Sequence, residues 1–155
     1  MWDAVTARIV AETLGVRALA TASHAVSFAH GVSDGEGLTV EDSSGPAKAP
    51  LFDLAHATAR VGAARAAGTA TGVPIAINAR VDVLACGGEW NDMVARASSH
   101  LAAGADCVFV LGLSDEEKIQ KALAEIDGPI SVIGGPGYVS LKRLGEYPQE
   151  LGFSY

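Results

Sequence analysis

The segment NARVD at residues 78–82 places an amide, a guanidinium and a carboxylate at alternate positions. If the chain is extended there, Asn78, Arg80 and Asp82 share one face, because side chains alternate along a strand. A charged arginine on a buried strand needs a carboxylate or an anionic ligand, since burying an isolated charge is too costly. Arg80 is therefore predicted to bind an anion or to form an internal ion pair with Asp82 or an acidic loop residue, and the two roles are compatible.

Four carboxylates are concentrated in the glycine-rich segment GVSDGEGLTVEDSSG at residues 31–45, namely Asp34, Glu36, Glu41 and Asp42. Carboxylate oxygens suit a hard cation such as Mg²⁺, which prefers oxygen ligands and keeps several waters. Acidic loops rich in glycine and serine are also typical of solvated or helix-capping segments. The residues alone leave both interpretations open.

Two further candidates lie where strands are predicted to end. The first is TAS at residues 21–23, which is followed by His24 just past a short strand. The second is GGPG at residues 134–137, whose backbone N–H groups could face an anion. No P-loop lysine follows GGPG, so a plain turn is the simpler interpretation.

The remaining histidines and the two cysteines have no metal-ligand spacing. His56 and His100 fall on predicted helices, where we expect surface or packing roles. Cys86 and Cys107 have no disulfide-rich context, and Cys107 lies in the apolar run CVFVLGL. A buried thiol packs as a small hydrophobe, so both are predicted to be core cysteines.

Strand and helix patterns alternate from residue 75 onward. The strands are predicted in PIAINARVDV, in CVFVLGL and PISVIGG, which read as covered on both faces, and at the terminal GFSY. The helices are predicted at 51–71, at 89–104, from a capping box in SDEE at 114–117 to residue 126, and at 139–151 with an interruption at Pro148. Such alternation favours a parallel sheet covered by helices. An open doubly wound sheet fits 155 residues, whereas a complete eightfold barrel usually needs about 250, so length alone favours the open sheet.

Composition and charge exclude several classes of partner. The chain is 49% hydrophobic and 19% charged, with a mean hydropathy of +0.27, which is the profile of a soluble globular domain with a substantial core. A net charge of −7 makes nucleic acid and anionic membrane surfaces poor partners. The apolar runs are too short to span a bilayer and no signal-peptide pattern follows Met1, so we predict a cytoplasmic protein.

An ordered set of motifs resembles the isocitrate lyase/phosphoenolpyruvate mutase superfamily. The set is WDAVTARIVAETLGVRALATAS, GVSDG, VEDSSG, PLFDLAHATARVGAARAAGTATGVPIAINARVDV, HLAAGADCVFVLGL and PISVIGGPG, and it covers nearly the whole chain. The resemblance implies a (β/α)8 barrel fold that binds Mg²⁺ and a small carboxylate or α-keto acid. It also implies that C–C or P–C bonds are made or broken through an enolate-like intermediate.

The resemblance assigns roles by position. Ser23, with its neighbours His24 and Ala25, would contact the substrate carboxylate. Arg80 would be the catalytic, anion-binding arginine. The water-mediated metal shell would include Asp34 and Glu41.

The sequence departs from the family inside the acidic segment. The family carries further strands and helices between the counterparts of GVSDG and VEDSSG, including the principal metal ligand, but here Glu41 follows Asp34 by only seven positions. A βαβ crossover takes about 30 residues or more, so it cannot fit. The first barrel strand, expected before Trp2, is also predicted to be missing, and the last is predicted to be at best begun at Phe153. Residues 1–155 are thus predicted to form a single truncated domain, an incomplete TIM-barrel-derived (β/α)8-like fold or, alternatively, a rearranged open parallel α/β sheet.

Three interpretations of the short chain are open. The natural protein contains residues that this sequence omits, or it is a shortened relative, or it is an isolated fragment without activity. The leading functional hypothesis is a Mg²⁺-dependent lyase or mutase scaffold for small α-keto or carboxylic acids. The alternative is a catalytically inactive, shortened paralogue that acts as an oligomerising binding module. An incomplete barrel leaves strand edges unpaired, so a homo-oligomer is expected.

Overall fold

The computed structural model describes residues 50–72, 75–147 and 151–154, together with Val5, Arg8, Ile9, Glu12 and Asp42, and for residues 151–154 it describes the backbone. The elements in chain order are α1 (Leu54–Thr71), β1 (Asn78–Val81), α2 (Trp90–Ala102), β2 (Cys107–Val110), α3 (Glu116–Glu125), β3 (Ile130–Ile133), α4 (Leu141–Leu144) and β4 (Leu151–Ser154). None of the helices in these ranges has the length and apolar character needed to cross a membrane.

The four described strands form one parallel sheet in the order β1-β2-β3-β4. Ala79 lies opposite Val108, Val108 opposite Ile130, and Ile130 opposite Leu151. Every crossover moves to the next strand in the same direction, whereas a doubly wound sheet reverses its order at a switch point. Right-handed crossovers then place the helices on one face. This is the winding of a barrel segment, as expected for an incomplete barrel, and not the doubly wound sheet that chain length alone favoured.

The helix-covered face of the sheet is apolar and buried. Its strand residues are Ala79, Val81, Val108, Val110, Ile130 and Val132. Helix α2 contributes Met93 and Ala97 to the same core, and α3 contributes Ile119 and Ala122. These side chains recur at helical spacing, so the amphipathic pattern places each helix against the strands.

The opposite face of the sheet is only partly covered. Cys107 and Phe109 keep intermediate exposure while Val108 and Val110 are buried, so the prediction that β2 is covered on both faces is wrong. Cys86 is also partly exposed, and neither cysteine is the core residue that was predicted. The physical reason at Cys107 is that this face corresponds to the interior of a barrel, which side chains of facing strands normally fill.

Side-chain caps set the helix boundaries. Helix α1 begins after Asp53, whose carboxylate accepts from the His56 N–H at 2.9 Å. Helix α3 begins after Asp115, which accepts from the Lys118 N–H at 2.9 Å, so the predicted capping box at Ser114 is wrong by one residue. Aspartate is a strong N-cap because its short side chain reaches the orphan N–H groups of the first turn.

Helix α4 is much shorter than the predicted helix at 139–151. It spans Leu141–Leu144, begins after Ser140 and ends at Gly145. The Ser140 hydroxyl accepts from the Arg143 N–H at 3.3 Å. The chain then returns to the sheet as β4, which confirms the predicted terminal strand.

An ion pair fixes the amino end of β1, and we call it the Arg65 clamp. Arg65 of α1 donates to the carbonyl oxygens of Gly104 at 2.9 Å and Ile75 at 3.0 Å, and it pairs with Asp106. The Asp106 carboxylate also accepts from the Ile77 N–H at 2.7 Å. That N–H, helped by Arg65, holds the pKa of Asp106 below its usual value. The clamp joins α1 to both segments that lead into β1 and β2.

Candidate functional site

Arg80 lies on β1, one residue before the strand ends at Val81. Its Nε donates to Asp82 Oδ1 at 2.6 Å, so the internal ion pair with Asp82 that the sequence allowed is present. The Asp82 side chain is 2% exposed, whereas that of Arg80 is 33% exposed. Ligands of parallel α/β folds bind at the carboxyl ends of the strands, which is where this guanidinium lies.

Asp42 is the one acidic-segment carboxylate within the described residues, and protein groups occupy both of its oxygens. Oδ1 accepts from Arg96 Nη1 at 2.6 Å, and Oδ2 accepts from the Asp82 N–H at 2.9 Å. The side chain has no exposed surface. Asp42 itself is therefore neither solvated nor available to a metal ion, whereas Asp34, Glu36 and Glu41 lie outside the described residues.

Arg96 completes a closed ring of contacts around Asp42. Its Nη2 donates to the Phe52 carbonyl oxygen at 2.9 Å, and the Phe52 N–H donates to the Asp42 carbonyl oxygen at 3.0 Å. We call Asp42, Phe52, Arg96 and the Asp82 N–H the Asp42 clamp. Burial raises the pKa of the Asp42 carboxyl, while the Asp82 N–H and Arg96 lower it.

Arg96 was not among the residues predicted to have a role in the site. A signal was present, because Arg96 falls beside Met93 and Ala97 on the apolar stripe of α2. A charged residue on a buried stripe requires an opposite charge. The pattern could have indicated a buried ion pair without naming its partner, which lies 54 positions away.

His100 follows Arg96 by one helical turn and is 2% exposed, which agrees with its predicted packing role. Its two ring nitrogens have no hydrogen-bond partner in the described part of the chain, and the same holds for the Thr58 hydroxyl. Burial lowers the pKa of His100, the Asp42 carboxylate raises it and Arg96 lowers it further. His100 is thus held as a neutral side chain beside an ion pair.

Polar residues at the amino ends of the strands form a separate cluster. Asn78 Nδ2 donates to Ser131 Oγ at 3.1 Å, and Cys107 Sγ lies 3.7 Å from the same oxygen. Burial raises the pKa of the Cys107 thiol, which disfavours a reactive thiolate. In barrels the carboxyl ends of the strands carry the active site and the amino ends serve stability, so a structural role is expected for this cluster.

The GGPG segment forms a turn. The Tyr138 N–H donates to the Gly135 carbonyl oxygen at 3.1 Å, and Gly135 and Gly137 have positive φ angles of 128° and 87°. This agrees with the simpler interpretation of a plain turn. The turn lies at the carboxyl end of β3.

Most of the predicted site lies outside the described residues. This applies to Ser23, His24, Ala25, Asp34 and Glu41. Within the ranges that the structure describes, no group of three or more His, Cys, Asp or Glu side chains could hold a metal ion. The described residues therefore do not form a Mg²⁺ centre, and the metal prediction rests on Asp34 and Glu41.

A family model described as phosphoenolpyruvate phosphomutase matches the chain over residues 1–42 and 36–150. The chain belongs to the phosphoenolpyruvate phosphomutase family. Its two matched segments meet at residues 36–42, which lie within the stretch where the sequence predicts that an internal part of the family fold is missing. Family membership and the incomplete barrel are both as predicted.

Solved structures support the same family assignment. A protein described as a phosphonomutase from Burkholderia cenocepacia J2315 has a TM-score of 0.70 at 29% identity, over 99% of this chain and 84% of that chain. A protein described as a lyase/mutase from the same organism has a TM-score of 0.66 at 25% identity, over 93% and 70%. 2,3-Dimethylmalate lyase, a PEP mutase/isocitrate lyase superfamily member, has a TM-score of 0.60 at 25% identity, over 68% of this chain and 38% of that chain. A comparison with curated proteins gives no significant match.

Proposed function

We propose that this phosphoenolpyruvate phosphomutase family member binds a small carboxylate or α-keto acid at the carboxyl edge of its sheet, with Arg80 as the anion anchor. The reaction class is the making or breaking of a C–C or P–C bond through an enolate-like intermediate. The observation that carries the proposal is the position of Arg80, partly exposed at this edge and held by the buried carboxylate of Asp82.

The ion pair with Asp82 suits Arg80 to this role. Because Asp82 accepts from the Nε of Arg80 at 2.6 Å, the guanidinium has a fixed orientation before any ligand arrives. A pre-oriented cation loses little side-chain freedom on binding, and a planar guanidinium matches the geometry of a carboxylate. The same charge would stabilise negative charge that develops on an enolate-like intermediate.

The remaining site residues enter as proposals from the family resemblance. Ser23, His24 and Ala25 would contact the substrate carboxylate. Asp34 and Glu41 would belong to the water-mediated shell of a Mg²⁺ ion, which when bound supplies Lewis-acid stabilisation of an oxyanion. The role of Arg80 does not depend on the metal.

A second candidate is a catalytically inactive, shortened paralogue that serves as an oligomerising binding module. It is favoured by the two-segment family match, which meets at residues 36–42 and leaves no room for the intervening strands and helices. This candidate keeps ligand binding at Arg80 but loses turnover. The two candidates therefore differ in the fate of the bound ligand.

Calorimetric titration with oxalate, an enolate mimic, tests the binding step with and without Mg²⁺. We expect the wild-type protein to bind and Arg80→Ala to bind at least about tenfold more weakly, because a hydrogen bond to a charged group contributes about 1.5–3 kcal/mol. Arg143→Ala is the matched control, since Arg143 is an exposed arginine paired with Glu116 and Glu146. Thermal unfolding of each variant separates lost binding from lost folding.

Two outcomes would count against this proposal. Absence of oxalate binding by the wild-type protein up to millimolar concentration would overturn it, and equal binding by Arg80→Ala would remove Arg80 from the site. Incubation with 2,3-dimethylmalate or phosphoenolpyruvate, the compounds in the names of relatives, then separates the two candidates. Products detected by NMR support the lyase or mutase, whereas binding without products supports the binding module.

A further inference from the structure

The Asp42 clamp connects helix α2 to the strand end that carries Arg80. The connection runs in three steps, each through a short contact. Arg96 Nη1 donates to Asp42 Oδ1 at 2.6 Å, and Asp42 Oδ2 accepts from the Asp82 N–H at 2.9 Å. The Asp82 carboxylate then accepts from Arg80 Nε at 2.6 Å. The buried ion pair between Arg96 and Asp42 is therefore connected to Arg80 through one residue, Asp82.

The carboxyl end of β1 needs such a support. The strand ends at Val81, so the Asp82 N–H is not part of the strand's own ladder, and the turn at residues 83–87 follows immediately. A buried N–H without a partner costs about as much as a lost hydrogen bond, which makes the Asp42 carboxylate its natural acceptor. Because the side chain of Asp82 is itself buried, movement of its backbone would also move the carboxylate that holds Arg80.

We infer that Asp42 is a positioning residue for Arg80: it fixes the backbone of Asp82, and through Asp82 it sets the orientation of the guanidinium that binds the anion. The inference rests on the proposed function, because it assigns a role in that same site. Arg96 helps to hold Asp42 in place, because it pairs with the Asp42 carboxylate and also donates to the Phe52 carbonyl oxygen.

The chain contains a matched control for this inference. The Arg65 clamp at the amino end of β1 has the same parts, namely a helix arginine, an aspartate and a backbone N–H that donates to that aspartate. In the Arg65 clamp the Ile77 N–H donates to Asp106, just as the Asp82 N–H donates to Asp42 in the Asp42 clamp. The two clamps differ in position, because only the Asp42 clamp lies at the edge of the sheet that carries Arg80.

Asp42→Asn is the informative variant. An asparagine keeps the shape of the side chain but has a single acceptor oxygen, so it cannot accept from both Arg96 and the Asp82 N–H. Arg96→Lys is a milder second variant, because it keeps the positive charge beside Asp42 while losing the planar fork that also reaches Phe52. Asp106→Asn removes the same negative charge from the Arg65 clamp, where one oxygen, Asp106 Oδ2, faces both Arg65 and the Ile77 N–H.

Two measurements are made at a temperature where thermal unfolding shows every variant to be folded. Oxalate affinity reports the positioning of Arg80, and amide hydrogen exchange at Asp82 and Ile77 reports the two clamps. We expect Asp42→Asn to lose oxalate affinity by about tenfold or more, because removal of a hydrogen-bond partner that orients a metal-binding side chain costs a similar factor. We expect faster exchange at Asp82 in the same variant, a smaller affinity loss in Arg96→Lys, and wild-type affinity in Asp106→Asn.

The two measurements separate failure of this inference from failure of the proposed function. Wild-type oxalate affinity in Asp42→Asn, or an equal loss in Asp106→Asn, would overturn the positioning role while the proposed function stands. If the wild-type protein binds no oxalate, the proposed function fails and the positioning role fails with it. Hydrogen exchange at Asp82 then still shows whether the clamp contact exists.

Discussion

Arg80 and Arg96 carry the same charge in two very different environments. The Arg96 side chain is 10% exposed and pairs with the fully buried Asp42, whereas a third of Arg80 faces outward while it pairs with Asp82. A buried ion pair that loses one partner leaves an uncompensated charge, so Arg96 is committed to the fold. The exposed part of Arg80 is the surface to which we propose that a ligand carboxylate binds while the pair with Asp82 is kept.

The buried His100 is expected to make the free energy of unfolding sensitive to acid. Burial lowers its pKa in the folded protein, with Asp42 and Arg96 as the charged groups that act on it. The unfolded chain keeps a pKa of about 6.5, so below that pH it takes up a proton that the folded chain takes up less readily. The free energy of unfolding should therefore fall as the pH drops from 7 to 5. His100→Leu should flatten this dependence, which chemical denaturation at several pH values measures.

A second substitution on the same helix controls for packing. Met93→Leu changes a fully buried, non-titrating side chain of α2, so it should shift stability equally at every pH. If His100→Leu instead keeps the wild-type slope between pH 7 and 5, His100 is not the group responsible. The pH difference between the two variants is thus more informative than either alone.

At the scale of elements, the N-cap of helix α3 is Asp115, whereas the capping-box pattern in the sequence assigns the cap to Ser114. Asp115 accepts from the Lys118 N–H and pairs with the Lys118 side chain, while Ser114 lies before the cap. We expect Asp115→Ala to lower the melting temperature and Ser114→Ala to lower it less, because the first removes the acceptor for the helix N–H group. Thermal unfolding followed by circular dichroism compares them. A larger loss in Ser114→Ala would restore the predicted capping box.

The helices and strands from residue 75 onward are predictable because their patterns are local. Alternating apolar runs and amphipathic stripes depend on residues within a few positions of each other, and the predicted β1, α2, β2 and α3 are all present. The error at residues 139–151 has a local cause as well, since Gly145 ends α4 after one turn. The Asp42 clamp was not predictable, because it depends on a contact across 54 positions.

The order in which the chain connects its strands is a property of the whole molecule, and the sequence pattern did not determine it. Alternating strands and helices fit both an open sheet and a barrel, and length favoured the former. The sequential strand order and the family match decide for the barrel. Asp42, at the point where the two matched segments meet, is tied to α2 and to the end of β1. The acidic segment is thus attached to the rest of the fold by the Asp42 carboxylate, which contacts Arg96 and the Asp82 N–H.

The incomplete barrel predicts self-association. In the described sheet β1 and β4 are the outer strands, and the face that carries Phe109 is only partly covered. Unpaired parallel edges favour pairing with another chain, so we predict a homodimer or larger oligomer. Sedimentation velocity at micromolar concentration should give a mass above the 15.8 kDa of one chain. A stable monomer under these conditions would contradict the prediction.

A crystal structure of the protein with oxalate and Mg²⁺ would show where the anion binds. We expect an oxalate carboxylate against the guanidinium of Arg80 at the carboxyl edge of the sheet, with Asp82 still accepting from the Nε and Asp42 still paired with Arg96. Oxalate bound elsewhere on the molecule, or an Arg80 that points away from an occupied site, would contradict it.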